Sequence, residues 1–232
     1  MSVAALVLAA GRGERLGATV PKAFAGLAGR PLLVHALEAL AASQSLDRLL
    51  PVVARADLGR FSALSDSLDA IDGVMAPVIG GDQRQDSVRA GLAALPADVE
   101  WVAVHDAARP LVRPGDVDRV VAAARQYGAA ILGLPVRDTI KRVRDGRIRE
   151  TPPRAECYAA QTPQVFRVEL LREALEKAAA ERFQGTDDAE LVERLGVAVA
   201  LVDGDASNLK VTDSNDLKTA ERFVAERAAA AR

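Results

Sequence analysis

The chain has 232 residues, Lys+Arg 30 against Asp+Glu 32 for a formal net charge of −2, and a hydrophobic content of 50%. That length can bury a real core, and the near-zero charge excludes a general nucleic-acid binder or a polybasic membrane binder, since either needs a basic excess. One cysteine, Cys157, excludes a disulfide framework and a Cys-based zinc site, and two histidines, His35 and His105, leave little for a His-rich metal centre. No apolar run approaches the roughly 18 residues of a membrane span. The opening MSVAALVLAA has no positive leader and runs straight into GRGER, so it reads as a buried first strand of a soluble, cytoplasmic protein.

Taken in order, short apolar runs alternate with segments of helical period. Val3–Ala9 is the first run and a glycine-rich stretch follows it. Pro31–Ser43 repeats Leu33, Leu37 and Leu40 at helical spacing, with proline at the opening where its missing N–H costs nothing. Leu49–Ala54 reads as strand, Asp57–Leu68 as helix and Val74–Ile79 as strand. Asp86–Leu95 reads as helix, Trp101–Val104 as strand, Pro114–Tyr127 as helix and Ala129–Val136 as strand. The alternation predicts an α/β fold with a mainly parallel twisted sheet and helices on both faces.

The alternation breaks at RDTIKRVRDGRIRETPPR, residues 137–154, which is dense in charge and poor in core residues. Asp145-Gly146 is a tight-turn dipeptide between Val143 and Ile148, so this segment predicts a projecting β-hairpin. It is either a solvated excursion or an arm that grips a second copy. Beyond it Tyr158–Phe166 reads as extended, Val168–Ala180 and Asp188–Leu195 as helix, and Val197–Val202 as strand. Asp213–Ala230 closes the chain as a helix capped by Asp213 or Ser214.

The first strand empties into LAAGRGERLGATVPKAF. Gly11, Gly13 and Gly17 match a variant of the dinucleotide fingerprint, but that mechanism needs a helix to begin inside the motif. Pro21 falls where such a helix should be well under way. Lys22 follows Pro21 and lacks the G-K-[ST] frame of a P-loop. What remains is a long glycine loop with Arg12, Arg15 and Lys22, suited to a phosphate chain. A flexible surface loop with incidental charge is the alternative. Three further clusters fall at predicted strand ends, where open α/β sheets bind ligands. They are Gly80-Gly81-Asp82 with Ser87 after it, VHDAARP with Asp106 and Arg109, and Asn208-Leu209-Lys210. Lysine is scarce, only Lys22, Lys141, Lys177, Lys210 and Lys218 among the 30 basic residues. That scarcity draws attention to Lys22 and Lys210, whose compact ammonium differs as a tool from a guanidinium. His105 reads as a hydrogen-bonded near-core histidine.

The segments LAAGRGERLGATVPKAF, GGDQRQDSVRAGL, VHDAARP, PVRDTIKRV, AAQTPQVF and NLKVT occur in that order. Together they resemble the 2-C-methyl-D-erythritol 4-phosphate cytidylyltransferases of the non-mevalonate isoprenoid pathway, from Val3 to about Val224. The glycine loop alone would indicate only the wider nucleotidyltransferase superfamily, whereas VHDAARP with PVRDT and TPQVF is more specific. The resemblance implies a single Rossmann-like nucleotidyltransferase domain over 1–232, with 137–156 as a projecting arm exchanged between subunits of a homodimer. It implies Mg²⁺-dependent transfer of a cytidylyl group from CTP to the methylerythritol phosphate, with release of pyrophosphate. Arg15, Lys22 and Lys210 then match catalytic cations, and Ala9, Ala10, Gly11, Gly81, Asp82 and Ser87 match the cytidine pocket. Asp106, Arg109, Thr139 and Thr186 match the acceptor side, and Arg154 and Thr162 would reach the partner's substrate phosphate. Some relatives carry an acidic residue before the Asn-x-Lys segment. Here Ser207 stands there, with Asp205 two residues earlier, so the metal is expected mainly on the CTP phosphates and water. The competing expectations are a ribitol-5-phosphate cytidylyltransferase and, from another class, an NADP-binding oxidoreductase.

Overall fold

The computed structural model describes residues 1–11 and 20–230. Strand β1 (Ser2–Ala9) is buried along nearly its whole length, as an apolar run without alternation must be. Two short strands, β2 (Gly26–Leu27) and β3 (Arg30–Pro31), lead into helix α1 (Leu32–Ala41), which buries Leu33, Leu37 and Leu40 on one stripe. Strand β4 (Arg48–Val53) follows. The predicted helix over 57–68 is broken into a 3₁₀ turn at Arg55–Asp57 and two short helices, α2 (Leu58–Ser62) and α3 (Ser65–Leu68). Gly59, Ser62, Ser65 and Asp66 are weak helix formers, and the period of Phe61 and Leu68 alone does not hold one helix together.

The strand predicted over 74–79 also shrinks, to β5 (Val78–Ile79) and one isolated bridge from Val74 to Leu49. Pro77 has no N–H to give a ladder there. Helix α4 (Arg84–Ala94) starts two residues earlier than predicted, and β6 (Val99–Asp106) is longer at both ends. Helix α5 (Pro114–Tyr127) opens on proline and ends at Gly128, whose φ of +91° lets its N–H reach the Ala124 carbonyl at 2.7 Å. Strand β7 (Ala129–Pro135) precedes the hairpin of β8 (Arg142–Arg144) and β9 (Arg147–Glu150). Asp145 and Gly146 both take positive φ, 52° and 71°, as a tight two-residue turn requires. Strand β10 (Tyr158–Arg167), helices α6 (Val168–Ala180) and α7 (Asp188–Glu193), strand β11 (Ala200–Asp203) and helix α8 (Ser214–Ala230) complete the chain. Asp213 caps α8, its carboxylate accepting from the N–H groups of Asn215 and Asp216.

Among the described residues the main sheet has seven strands in the order β11-β7-β10-β6-β1-β4-β5. All adjacent pairs are parallel except those of β10, which runs antiparallel to both β6 and β7. A parallel return from β7 would need a helical crossover. The arm supplies only a hairpin and a 3₁₀ turn at Arg154–Glu156, so the chain comes back antiparallel.

One core lies between the sheet and α1 and α5, and another between the opposite face and α4, α6 and α7. A third cluster, Ala25, Leu27, Leu32, Leu111, Val211 and Ala220, packs α8 against the segments that follow Lys22 and Lys210.

Candidate active site

A pocket opens at the carboxyl ends of β1, β5 and β6. Its walls include Ala9, Ala10 and Gly11 at the end of β1, Gly81 and Asp82 after β5, and Asp106 at the end of β6. Ser87 and Arg84 enter from the first turns of α4. Lys22, on a 3₁₀ turn at Lys22–Phe24, and Lys210 enter from opposite ends of the chain. Four clusters that are distant in sequence thus meet, because parallel strands deliver all their carboxyl ends to one edge of the sheet.

The wall after β5 tolerates no side chain. A Cβ at Gly80 would lie 2.7 Å from both Ala10 Cβ and Ser87 Oγ, and one at Gly81 would lie 2.4 Å from Asp86 Cβ. Ser87 is buried, and its hydroxyl lies within donating distance of the Gln83 carbonyl at 3.2 Å and the Gly81 carbonyl at 3.4 Å. The loop is therefore locked onto the start of α4.

Asp106 carries the densest charge of the pocket. Its Oδ2 lies 2.7 Å from Lys210 Nζ and its Oδ1 lies 3.4 Å from Arg84 Nε. Burial alone would raise its pKa, but Arg84, Lys210 and then Arg109 hold the carboxyl well below the usual carboxylate range. The Asp106 N–H donates to Thr162 Oγ1 at 3.1 Å, and Thr162 Oγ1 lies 3.1 Å from His105 Nδ1. His105 Nε2 donates to the Arg109 carbonyl at 3.0 Å, since a carbonyl only accepts. A neutral imidazole then accepts the Thr162 hydroxyl at Nδ1. Burial pushes His105 down to about 4, which keeps it neutral and the chain of bonds intact.

The loop that bears Lys210 is tied down by buried amides. Asn208 donates to Gln161 Oε1 at 3.2 Å and to the Thr162 carbonyl at 2.9 Å. Arg109 donates to the Asn208 carbonyl at 2.8 Å and the Ala160 carbonyl at 3.2 Å. Arg109 and Thr162 thus stand behind the pocket rather than in its lining, and both bear on Asp106 or Lys210. Thr186 sits at the start of α7, where its N–H and hydroxyl both donate to Glu190. Thr139 and Arg154 lie on the exposed arm, Arg154 donating to the Arg137 carbonyl at 3.0 Å. Among the described residues, the pocket lining includes neither Thr186 nor these last two. Arg15 falls outside the described residues.

Sequence reasoning missed three residues. Arg84 lines the pocket and binds Asp188 as well as Asp106. Asp188 is buried at the start of α7, and Gln164 on β10 accepts from its N–H at 3.1 Å. Arg84 stands two residues past Asp82 in the same motif, which was the signal available. Nothing local in the sequence links it to Asp188.

Three cations and two carboxylates, Lys22, Arg84, Lys210, Asp82 and Asp106, face a glycine wall at the edge of a parallel sheet, which defines an α/β enzyme for phosphate-bearing nucleotides. The chain belongs to the IspD family, 2-C-methyl-D-erythritol 4-phosphate cytidylyltransferase, whose family model matches residues 3–226. It is 44% identical over 226 residues to the 2-C-methyl-D-erythritol 4-phosphate cytidylyltransferase of Pelotomaculum thermopropionicum, covering 97% of this chain and 95% of the relative. The enzyme of that name from Geobacillus kaustophilus is 44% identical over 229 residues, with 99% and 100% covered. Among solved structures, the 4-diphosphocytidyl-2C-methyl-D-erythritol synthase of Anaerococcus prevotii superposes with a TM-score of 0.85 at 30% identity, covering 96% of each chain. The Thermus thermophilus 2-C-methyl-D-erythritol 4-phosphate cytidylyltransferase gives a TM-score of 0.78 at 36% identity, with 96% and 98% covered.

Proposed function

We infer that this chain transfers a cytidylyl group from CTP to 2-C-methyl-D-erythritol 4-phosphate in non-mevalonate isoprenoid biosynthesis. The convergence of Lys22, Lys210 and Asp106 on one glycine-walled pocket carries the reading. An oxygen of the acceptor phosphate attacks the α-phosphorus of CTP. The new P–O bond forms as the bond to the bridging α–β oxygen breaks, and pyrophosphate leaves with that electron pair. The nucleophile is already anionic, so no general base is needed, and His105, buried and neutral, is not asked to be one. The barrier is the approach of two anions and the charge that builds on phosphorus, which fixed cations offset. Lys22 and Arg15 hold the triphosphate in this reading. Lys210, held by Asp106, stands beside the reacting phosphorus, and the close-packed wall of Gly81 and Ser87 takes the base. Asp106 and Arg109, with Thr139 and Thr186, serve the acceptor.

Mg²⁺ is the metal that the reaction implies. Among the described residues no group of three or more His, Cys, Asp or Glu is placed to hold an ion, and both oxygens of Asp106 face cations. An ion held by phosphate oxygens and water would fit this pocket, with Asp82 there to accept from its water. The ion would neutralise triphosphate charge and make pyrophosphate a better leaving group.

The arm supports a homodimer. Val143 and Ile148 are 55% and 63% exposed on an isolated two-stranded hairpin, which is marginal without something to pack on. An arm laid on a second copy would bring Arg154 toward that copy's acceptor side, whereas Thr162, expected to reach the partner as well, is buried beside Asp106 and His105 of its own chain. Among the described residues no helix is long and apolar enough to cross a membrane, and a cytoplasmic place suits an enzyme that uses CTP.

Pyrophosphate release tests the reading, with Mg²⁺, each of the four nucleoside triphosphates, and methylerythritol 4-phosphate or ribitol 5-phosphate. Release confined to CTP with methylerythritol 4-phosphate is expected. Release with ribitol 5-phosphate instead would keep the mechanism and overturn the acceptor. No release with any pair would overturn the activity.

A further inference from the structure

Arg84 lines the pocket but is anchored outside it. Its Nη2 lies 2.7 Å from Asp188 Oδ2, whereas its Nε is 3.4 Å from Asp106 Oδ1. The shorter contact is with Asp188, whose side chain is 1% exposed, while that of Arg84 is 32% exposed. Burial pushes the Asp188 pKa up, Arg84 opposes that rise, and Asp106 and Asp187 add to it. A carboxylate shut away from water beside other acids is costly unless a cation holds it. Its backbone is fixed as well, because Gln164 Oε1 accepts from the N–H groups of both Asp188 and Ala189 at 3.1 Å. Gln164 also donates to Asp187 Oδ2 at 2.8 Å. Asp188 is therefore a rigid anchor built on β10 and α7, and Arg84 is the tether that runs from it into the pocket.

We propose that Asp188 is a positioning residue for the acceptor half of the reaction: through Arg84 it fixes the carboxylate of Asp106 opposite Lys210. The proposal rests on the assignment of Asp106 to the acceptor. Without Asp188 the guanidinium is free to turn to solvent or to an incoming phosphate, and Asp106 loses the fixed partner of one oxygen. In the proposed reading CTP sits on the glycine wall and Lys22, so its binding should change less than that of the acceptor.

The test is a double-mutant cycle of Asp188→Asn and Arg84→Gln in the full chain, read as KM for each substrate and kcat, with thermal melts. Asp188→Asn should raise KM for methylerythritol 4-phosphate about tenfold or more and leave KM for CTP within about twofold. Arg84→Gln should raise the acceptor KM likewise, and adding Asp188→Asn to it should change nothing further. A merely structural Asp188 would affect both substrates alike, and its effect would add to that of Arg84→Gln. Either result overturns the proposal, as does an unchanged acceptor KM in Asp188→Asn. Should Asp188→Asn alone fail to fold, Arg84→Gln against the double variant decides, since removing both charges leaves neither unpaired. Wild-type protein without CTP-dependent turnover would overturn the functional reading itself, and this proposal with it.

Discussion

Lys22 and Lys210 come from opposite ends of a chain that otherwise prefers arginine, and they line the same pocket. An ammonium is a compact charge that can follow phosphorus as its charge grows, whereas a guanidinium is a flat fork set for fixed bidentate partners. Lys22→Ala and Lys210→Ala are each expected to lower kcat about 100-fold or more while the melting temperature stays within a few degrees. Wild-type turnover in either folded variant would remove that lysine from the mechanism. The glycine wall makes a second prediction. Gly81→Ala puts a Cβ 2.4 Å from Asp86 Cβ, so the start of α4 must shift and Ser87 with it. KM for CTP should rise about tenfold or more, and titration calorimetry with CTP alone should show the same loss.

At the scale of elements, the arm of β8 and β9 stands out from the described chain, with every residue from 137 to 151 exposed. Paired substitution Val143→Glu with Ile148→Glu should leave the melt of the main domain nearly unchanged and convert a dimer to a monomer in sedimentation. A wild-type mass of one chain would exclude the dimer altogether. If Arg154 acts on the partner's substrate, mixing Arg154→Ala with Lys22→Ala subunits should restore activity at one site of the mixed dimer. Antiparallel β10 is the other decisive element. It brings Gln161, Thr162 and Gln164 behind the pocket, where they hold Asn208, Asp106 and Asp188 respectively.

For the whole molecule the consequence is a dependence of stability on pH. His105 is held at about 4 in the fold against an ordinary 6.5, so the unfolded chain takes up a proton that the folded chain refuses. The stabilisation is therefore complete above about pH 6.5 and is lost as pH falls toward 4, amounting to about 3 kcal/mol over that window. Asp106 acts the same way further down, since its depressed pKa gives stability present above about pH 4 and lost as pH falls below it. Melting temperature should be flat above pH 7 and fall through this window, and His105→Asn should flatten the upper part of the fall. A wild-type melt independent of pH between 7 and 4 would contradict a buried neutral imidazole.

The alternation of apolar runs with helical periods determines the α/β class, because burial on both faces of a parallel sheet leaves that mark on any sequence that builds it. The hairpin was legible too, since Asp145-Gly146 is a local instruction. The pocket residues Gly81, Asp82, Ser87, Asp106 and Lys210 were legible as motifs at strand ends, and so was Lys22 in the loop after the first strand. Where the sequence was silent, the missing information was not local. The break of 57–68 and the loss of most of 74–79 follow from weak formers and a proline that only packing adjudicates. The reversal of β10 depends on how the arm returns the chain. Arg84, Gln164 and Asp188 become a connected set only when α4, β10 and α7 meet. Hydrogen bonds and ion pairs act over about 3 Å of space, whatever the separation along the chain.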